Sequence, residues 1–122
     1  MKLRIRENSI RLRLTQSEVA EFAENGFVEN KTEFGGDVNF GYAISANDQT
    51  DSLNAEFANG KIQVVVPKAL ADQWANSEDV GIEGTFEALS IIIEKDFACL
   101  NVRDGEDESD AFPHPKEKEL SC

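Results

Sequence analysis

The chain has 122 residues, of which 40% are hydrophobic, and a formal net charge of −12. That length suits one domain with a single modest core, and the apolar fraction is that of a folded chain rather than a disordered one. The acidic balance argues against nucleic-acid and anionic-membrane partners, because their phosphates would be repelled.

Residues 2–14 predict a hairpin. Leu3 and Ile5 alternate with Lys2, Arg4 and Arg6, and Ile10, Leu12 and Leu14 alternate with Arg11 and Arg13. A two-residue turn at Glu7-Asn8 sets Ile5 opposite Ile10 and Leu3 opposite Leu12. Thr15 and Glu18 then form a capping box, and Val19, Phe22 and Ala23 make a helical stripe that ends at Asn25-Gly26. Strands are expected over 28–34 and 38–44. A three-residue turn at Gly35-Gly36-Asp37 pairs Phe34 with Val38, Thr32 with Phe40 and Val28 with Ile44.

After a polar loop the pattern recurs. Strands over 53–58 and 61–66 flank Asn59-Gly60, the strongest hairpin signal in the chain. Pro67 stands where a first helical residue belongs, and Leu70, Ala71, Trp74 and Ala75 form a second stripe. Residues 80–86 and 89–97 close with a hairpin around Glu87-Ala88. A shift of 52 residues places Ile10 on Ile62, Leu14 on Val66, Phe22 on Trp74, Val28 on Val80 and Phe34 on Phe86. The reading is two ββαββ units, residues 2–45 and 54–97, within one domain spanning 1–100. The expected fold is α+β: about eight antiparallel strands in one sheet or closed barrel, with two short helices. Phe22 and Trp74 are expected to pack in the core.

Residues 101–122 are charged and interrupted by prolines, and read as an acidic C-terminal tail, either draped over the body through Phe112 or partly disordered. No run approaches the roughly 18 apolar residues of a membrane span. The basic, alternating N-terminus has no apolar signal-peptide core, and the two cysteines, Cys99 and Cys122, form no disulfide framework. A cytoplasmic location is expected.

Charge is segregated. Five of the 12 basic residues lie in the first 13 positions, while 23 of the 24 acids lie beyond residue 14. The expected register places Arg4 opposite Arg11 and Lys2 opposite Arg13, and like charges so placed are destabilising unless compensated. Compensation can be internal, through carboxylates such as Glu29, Glu33, Glu56 and Glu83 on neighbouring strands. It can also come from an anion held by Lys2, Arg4, Arg6, Arg11 and Arg13, or from an acidic protein segment.

Other chemistry is sparse. His114 is the only histidine and lies between two prolines, with no nucleophile motif to serve. There is no phosphate-cradling glycine loop. Cys99, His114 and Cys122 are a candidate zinc ligand set, completed by Asp110 or Glu106, although their spacing matches no standard zinc module. The acidic run over 104–110 lacks the spacing of a calcium loop.

Eight strands in two units with embedded helices resemble the triphosphate-tunnel barrels in architecture. Those enzymes carry alternating glutamates in the first strand, where this chain has Lys2, Arg4 and Arg6, so the resemblance does not imply their phosphohydrolase activity. The segments Met1 to Arg6 with Ser9 to Thr15, Ile93 to Leu100, and Asp107 to Pro115 resemble a family of small uncharacterised bacterial proteins. That resemblance covers nearly the whole chain and implies a bacterial cytosolic protein without an assigned activity or site. The leading expectation is a non-catalytic binding or interaction module that uses the basic hairpin and needs no cofactor. One alternative is an enzyme acting on a phosphorylated substrate, with Glu29, Glu33 or Glu94 as metal or base groups. A second is a module stabilised by metal through the tail.

Overall fold

The computed structural model describes residues 1–97. The fold is α+β, with eight strands and two helices in the order β1 (Lys2–Arg6), β2 (Ser9–Leu14), α1 (Gln16–Asn25), β3 (Phe27–Gly35), β4 (Val38–Asn47), β5 (Asn54–Ala58), β6 (Lys61–Pro67), α2 (Lys68–Ala75), β7 (Gly81–Phe86) and β8 (Leu89–Lys95). The strands divide into two four-stranded sheets, ordered β1-β2-β8-β7 (sheet A) and β3-β4-β6-β5 (sheet B). Each sheet is a pair of antiparallel hairpins joined at its centre by a parallel pairing, β2 with β8 and β4 with β6. Sequence periodicity fixes hairpins but not which hairpins become neighbours. The expected single antiparallel sheet or barrel is therefore realised as two mixed sheets facing one core.

The hairpins take their registers from local turn chemistry and from the demand that apolar residues share one face. Leu3 faces Leu12 and Ile5 faces Ile10, as expected. Glu7 and Asn59 adopt positive φ at the first position of tight turns, and Asn59-Gly60 has positive φ at both residues, matching the right-handed strand twist. In the β3–β4 hairpin, Val28 faces Ile44 and Thr32 faces Phe40, but the tip pairs Gly35 with Val38 rather than Phe34 with Val38. The turn is thus Gly36-Asp37, and a register shift between Glu33 and Gly35 absorbs the extra residue. That irregularity keeps Val28 and Ile44, both buried, in the core.

Both helices close the same end of the sheets. Thr15 caps α1 with the expected box: its hydroxyl accepts from the Glu18 amide, and Glu18 Oε1 accepts from the Thr15 amide at 2.9 Å. Gly26 ends the helix with φ 72°. Pro67 precedes α2 as the cap residue, one position earlier than expected, and Lys68 Nζ bridges to Asp72 at 3.1 Å one turn on. Phe22 and Trp74 are buried and meet edge-on, with ring centroids 6.3 Å apart. The Trp74 indole donates to the Val80 carbonyl at 3.1 Å, so its one polar atom is satisfied. Below them Leu12, Leu14, Ile44, Val64, Val66, Ile91 and Ile93 fill the space between the sheets with no exposure. Each such side chain contributes about 1.5–3 kcal/mol by leaving water.

The two sheets also meet along their edges. Leu53, just before β5, packs into the space left by Gly84 on β7: a Cβ there would lie 2.6 Å from Leu53 Cδ1. On the other side the Tyr42 hydroxyl donates to the Met1 carbonyl at 2.9 Å. No helix among the described residues is long and apolar enough to cross a membrane.

Candidate functional site

The alternation of β1 and β2 turns Leu3, Ile10, Leu12 and Leu14 inward and sends every basic residue of the hairpin to the outer face of sheet A. Lys2 faces Arg13 and Arg4 faces Arg11, the like-charge register expected from the sequence. The parallel pairing with β8 extends these rows. One runs Lys2, Arg13, Glu94, Gly81; the next Arg4, Arg11, Ile92, Glu83; the third Arg6, Ser9, Ser90, Thr85. The face thus holds five cations against two carboxylates on its strands, Glu83 and Glu94.

Compensation is internal in part, and it comes from β8. Glu94 Oε1 accepts from Arg13 Nε at 2.8 Å and lies 3.8 Å from Arg11 Nε. Lys2 reaches Asp96, just beyond β8, at 3.0 Å. Glu29 and Glu33, expected to sit beside the hairpin, belong to sheet B, and Glu29 pairs there with Lys61. The misplacement follows from chain order: β3 comes next after the hairpin and first helix, yet β8 takes the place at its side. For the same reason Glu29 and Glu33 cannot share a site with the arginines, whereas Glu94 adjoins them.

Arg13 is the unusual member. It is only 8% exposed, and it alone is buried among the described charged and polar residues. Its Nε is held by Glu94, while its buried NH2 nitrogen has no hydrogen-bond partner. Two guanidiniums therefore converge on one carboxylate oxygen, and one of them keeps donor capacity in a low-dielectric position. Arg6 is exposed and makes no ion pair among the described residues. Ser9 and Ser90 stand side by side in its row, which sequence reasoning did not connect, since only the β2–β8 pairing brings them together; the Ser9 hydroxyl donates to the Arg6 carbonyl at 3.0 Å. Arg4 has partners as well.

Elsewhere the chemistry is sparse. No cluster of three metal-ligating side chains occurs among the described residues. Cys99, His114 and Cys122 lie outside them, as do Glu106 and Asp110. The Glu18 carboxyl lies beside the N-terminal ammonium and the Thr15 cap. Partial burial alone would raise its carboxyl, but hydrogen bonds from the N-terminal ammonium and from Thr15, with the ammonium charge, outweigh that and hold it below its ordinary value. It serves helix capping, not the basic face.

Neither a curated protein nor a solved structure matches the chain significantly. A family model does match, over residues 1–116, which is nearly its whole length. The chain therefore belongs to a family of unknown function, DUF7009.

Proposed function

We propose that this is a non-catalytic binding module of the bacterial cytoplasm that captures an oxyanion, phosphate or carboxylate, on the outer face of sheet A. Arg6, Arg11 and Arg13 supply the guanidinium forks, Lys2 and Arg4 add charge, and the Ser90 hydroxyl adds a neutral donor. The observation that carries this reading is the convergence of Arg11 and Arg13 on the single carboxylate of Glu94, with a buried guanidinium nitrogen of Arg13 left unpaired. Planar guanidiniums recognise phosphate and carboxylate bidentately. In a protein of charge −12, a face so composed is a local exception.

The same reading treats the chain as two ββαββ units. The pairings of β1 with β2 recur in β5 with β6 displaced by 52 residues, Leu3–Leu12 becoming Ala55–Val64. The second unit carries Glu56, Gln63 and Val65 where the first has Arg4, Arg11 and Arg13. The basic residues of the face therefore come from one unit only, which suits a function acquired by that unit rather than a requirement of the fold.

The test is thermal unfolding with phosphate, pyrophosphate, triphosphate and dicarboxylates. A ligand of the folded state at a hundredfold excess over its dissociation constant adds about 2.7 kcal/mol. The expected result is a rise in Tm with one anion class that is lost in Arg6→Ala and Arg11→Ala. No rise with any anion would mean that Glu94 and Asp96 already neutralise the face, and the proposal would fail.

A further inference from the structure

The basic face is built to a period. Its cations stand in three successive rows, Lys2 with Arg13, Arg4 with Arg11, and Arg6 beside Ser9, each two residues along the strands from the last. That spacing is about 6.6–6.8 Å. No described helix or strand lies across the face, and Lys2, Arg4, Arg6, Glu83 and Thr85 are exposed. Within it the Arg13 side chain is only 9% exposed, and its NH2 nitrogen has no hydrogen-bond partner. The other described lysines, Lys31, Lys61, Lys68 and Lys95, each lie on a different element, so no other described face carries cations in three successive rows.

The two ends of sheet A differ. β8 runs from its turn toward the helices and delivers the chain to the first of these rows. There the Asp96 amide donates to the Leu14 carbonyl at 2.8 Å, and the Asp96 carboxylate pairs with Lys2 at 3.0 Å. At the turn end an apolar cavity of about 310 Å³ opens between the two sheets, lined by Ile5, Ile10, Phe40, Phe57, Ile62 and Leu89. No described residue that lines it is a cation, so it gives a carboxylate nothing to bind.

The acids that follow β8 in the sequence have the period of the rows. Beyond the described residues, Asp104, Glu106, Glu108 and Asp110 alternate with Gly105, Asp107 and Ser109. Along an extended backbone alternate side chains share a side, so four carboxylates recur at the spacing of the cations. Length fits as well. Residues 98–103 reach at most about 20 Å, enough to turn the chain back onto the face it has just left. Residues 104–110 extend over about 20 Å, against roughly 13 Å from the first row to the third. A tether that short sets an effective concentration on the order of millimolar, at which an acidic segment from elsewhere competes poorly.

We infer that the outer face of sheet A is occupied by the chain's own acidic segment 104–110, which an oxyanion must displace. The segment returns from the helix end toward the turns and brings successive carboxylates to successive rows. Glu106, Glu108 and Asp110 meet the cations, while Asp107 and Ser109 turn away from the sheet. The displacement rests on the reading of this face as an anion site; the docking of the segment stands without it. Five acids within seven residues repel one another, and the cationic rows relieve that repulsion.

The experiment compares the full chain with its variant Glu106→Gln, Glu108→Gln, Asp110→Asn, which leaves every residue of the described fold in place. Spectra of backbone amides and arginine Nε–H groups are recorded at two protein concentrations, with and without added salt, and each form is titrated with pyrophosphate. The expected result is that signals of Arg6, Arg11 and Arg13 differ between the two forms while those of β3 to β6 coincide. Added salt moves the wild-type signals toward those of the variant, since exposed ion pairs are screened. Pyrophosphate binds the variant about tenfold tighter, as follows for a tethered competitor whose dissociation constant is about a tenth of its effective concentration. Coincident arginine signals in the two forms, differences that vanish on dilution and so belong to a second copy, or equal pyrophosphate affinities would each overturn the inference. Equal affinities with coincident spectra leave the anion site standing. Arginine signals that differ while neither form binds any anion overturn the anion site and leave the docked segment.

Discussion

Neutralising Glu94 is the sharpest perturbation of the basic face. Its Oε1 holds Arg13 Nε at 2.8 Å, and the two side chains are 16% and 9% exposed, so the pair is screened little by water. Hydrogen bonds to charged groups are worth about 1.5–3 kcal/mol, and removing one partner of a fully buried pair costs about 3–5 kcal/mol. Glu94 retains some exposure, and its amide isostere still accepts a hydrogen bond, so Glu94→Gln is expected to cost about 2–3 kcal/mol. For a domain of this size that lowers Tm by about 8–12 °C. The loss would be measured by urea and thermal unfolding followed by circular dichroism. Most of it is the penalty of leaving the Arg13 charge buried, not the net worth of the bridge. The double variant Arg13→Met with Glu94→Leu is therefore expected to be more stable than Glu94→Gln alone. If Glu94→Gln costs less than about 0.5 kcal/mol, the usual limit of a surface substitution, Arg13 is not electrostatically dependent on Glu94 and the description of the face is wrong.

Two further predictions concern packing and acid stability. Gly81→Ala places a Cβ 2.8 Å from the Ile93 carbonyl oxygen, whereas Gly84→Ala meets the Cδ1 of Leu53 at 2.6 Å, the far end of a side chain that can move. The first is expected to cost about 2–3 kcal/mol and the second about 1 kcal/mol, and urea midpoints showing the reverse order would contradict the packing described. Because the Glu18 carboxyl is held below its ordinary value of 4.5, its contribution to stability is complete above that pH and is lost as pH falls through the lowered value. Between neutral pH and pH 4.5, wild type minus Glu18→Gln should be constant, and the difference should shrink at lower pH. A difference that grows on acidification would refute the sign.

Much of the fold was legible because the signals for it are local. The turns at Glu7-Asn8 and Asn59-Gly60, the capping box of Thr15 and Glu18, and the inward sets Ile10-Leu12-Leu14 and Ile62-Val64-Val66 can each be read within a dozen residues. What local pattern cannot encode is which hairpin lies beside which. The like-charge rows Lys2–Arg13 and Arg4–Arg11 are visible in the sequence, but nothing local singles out their partner among Glu29, Glu33, Glu56 and Glu83, and it is Glu94, 81 residues from Arg13. Ser90, adjacent to Ser9 in the same row, was hidden for the same reason.

The open cavity was less legible still, because alternation reports that a residue faces inward and not whether the interior there is filled. Ile5, Ile10, Phe40, Phe57, Ile62 and Leu89 have the letters of a core, and only length separates them from one. β3–β4 runs on past the last β4–β6 pair, Gly41 with Lys61, and its tip leaves Phe34 and Val38 68% and 63% exposed. A fold that closes one end with the Phe22–Trp74 contact had residues available to close the other in the same way. Instead it leaves Ile5 and Phe57 56% and 66% exposed at the opposite end, where hydrocarbon in contact with water costs the stability that a second such contact would supply.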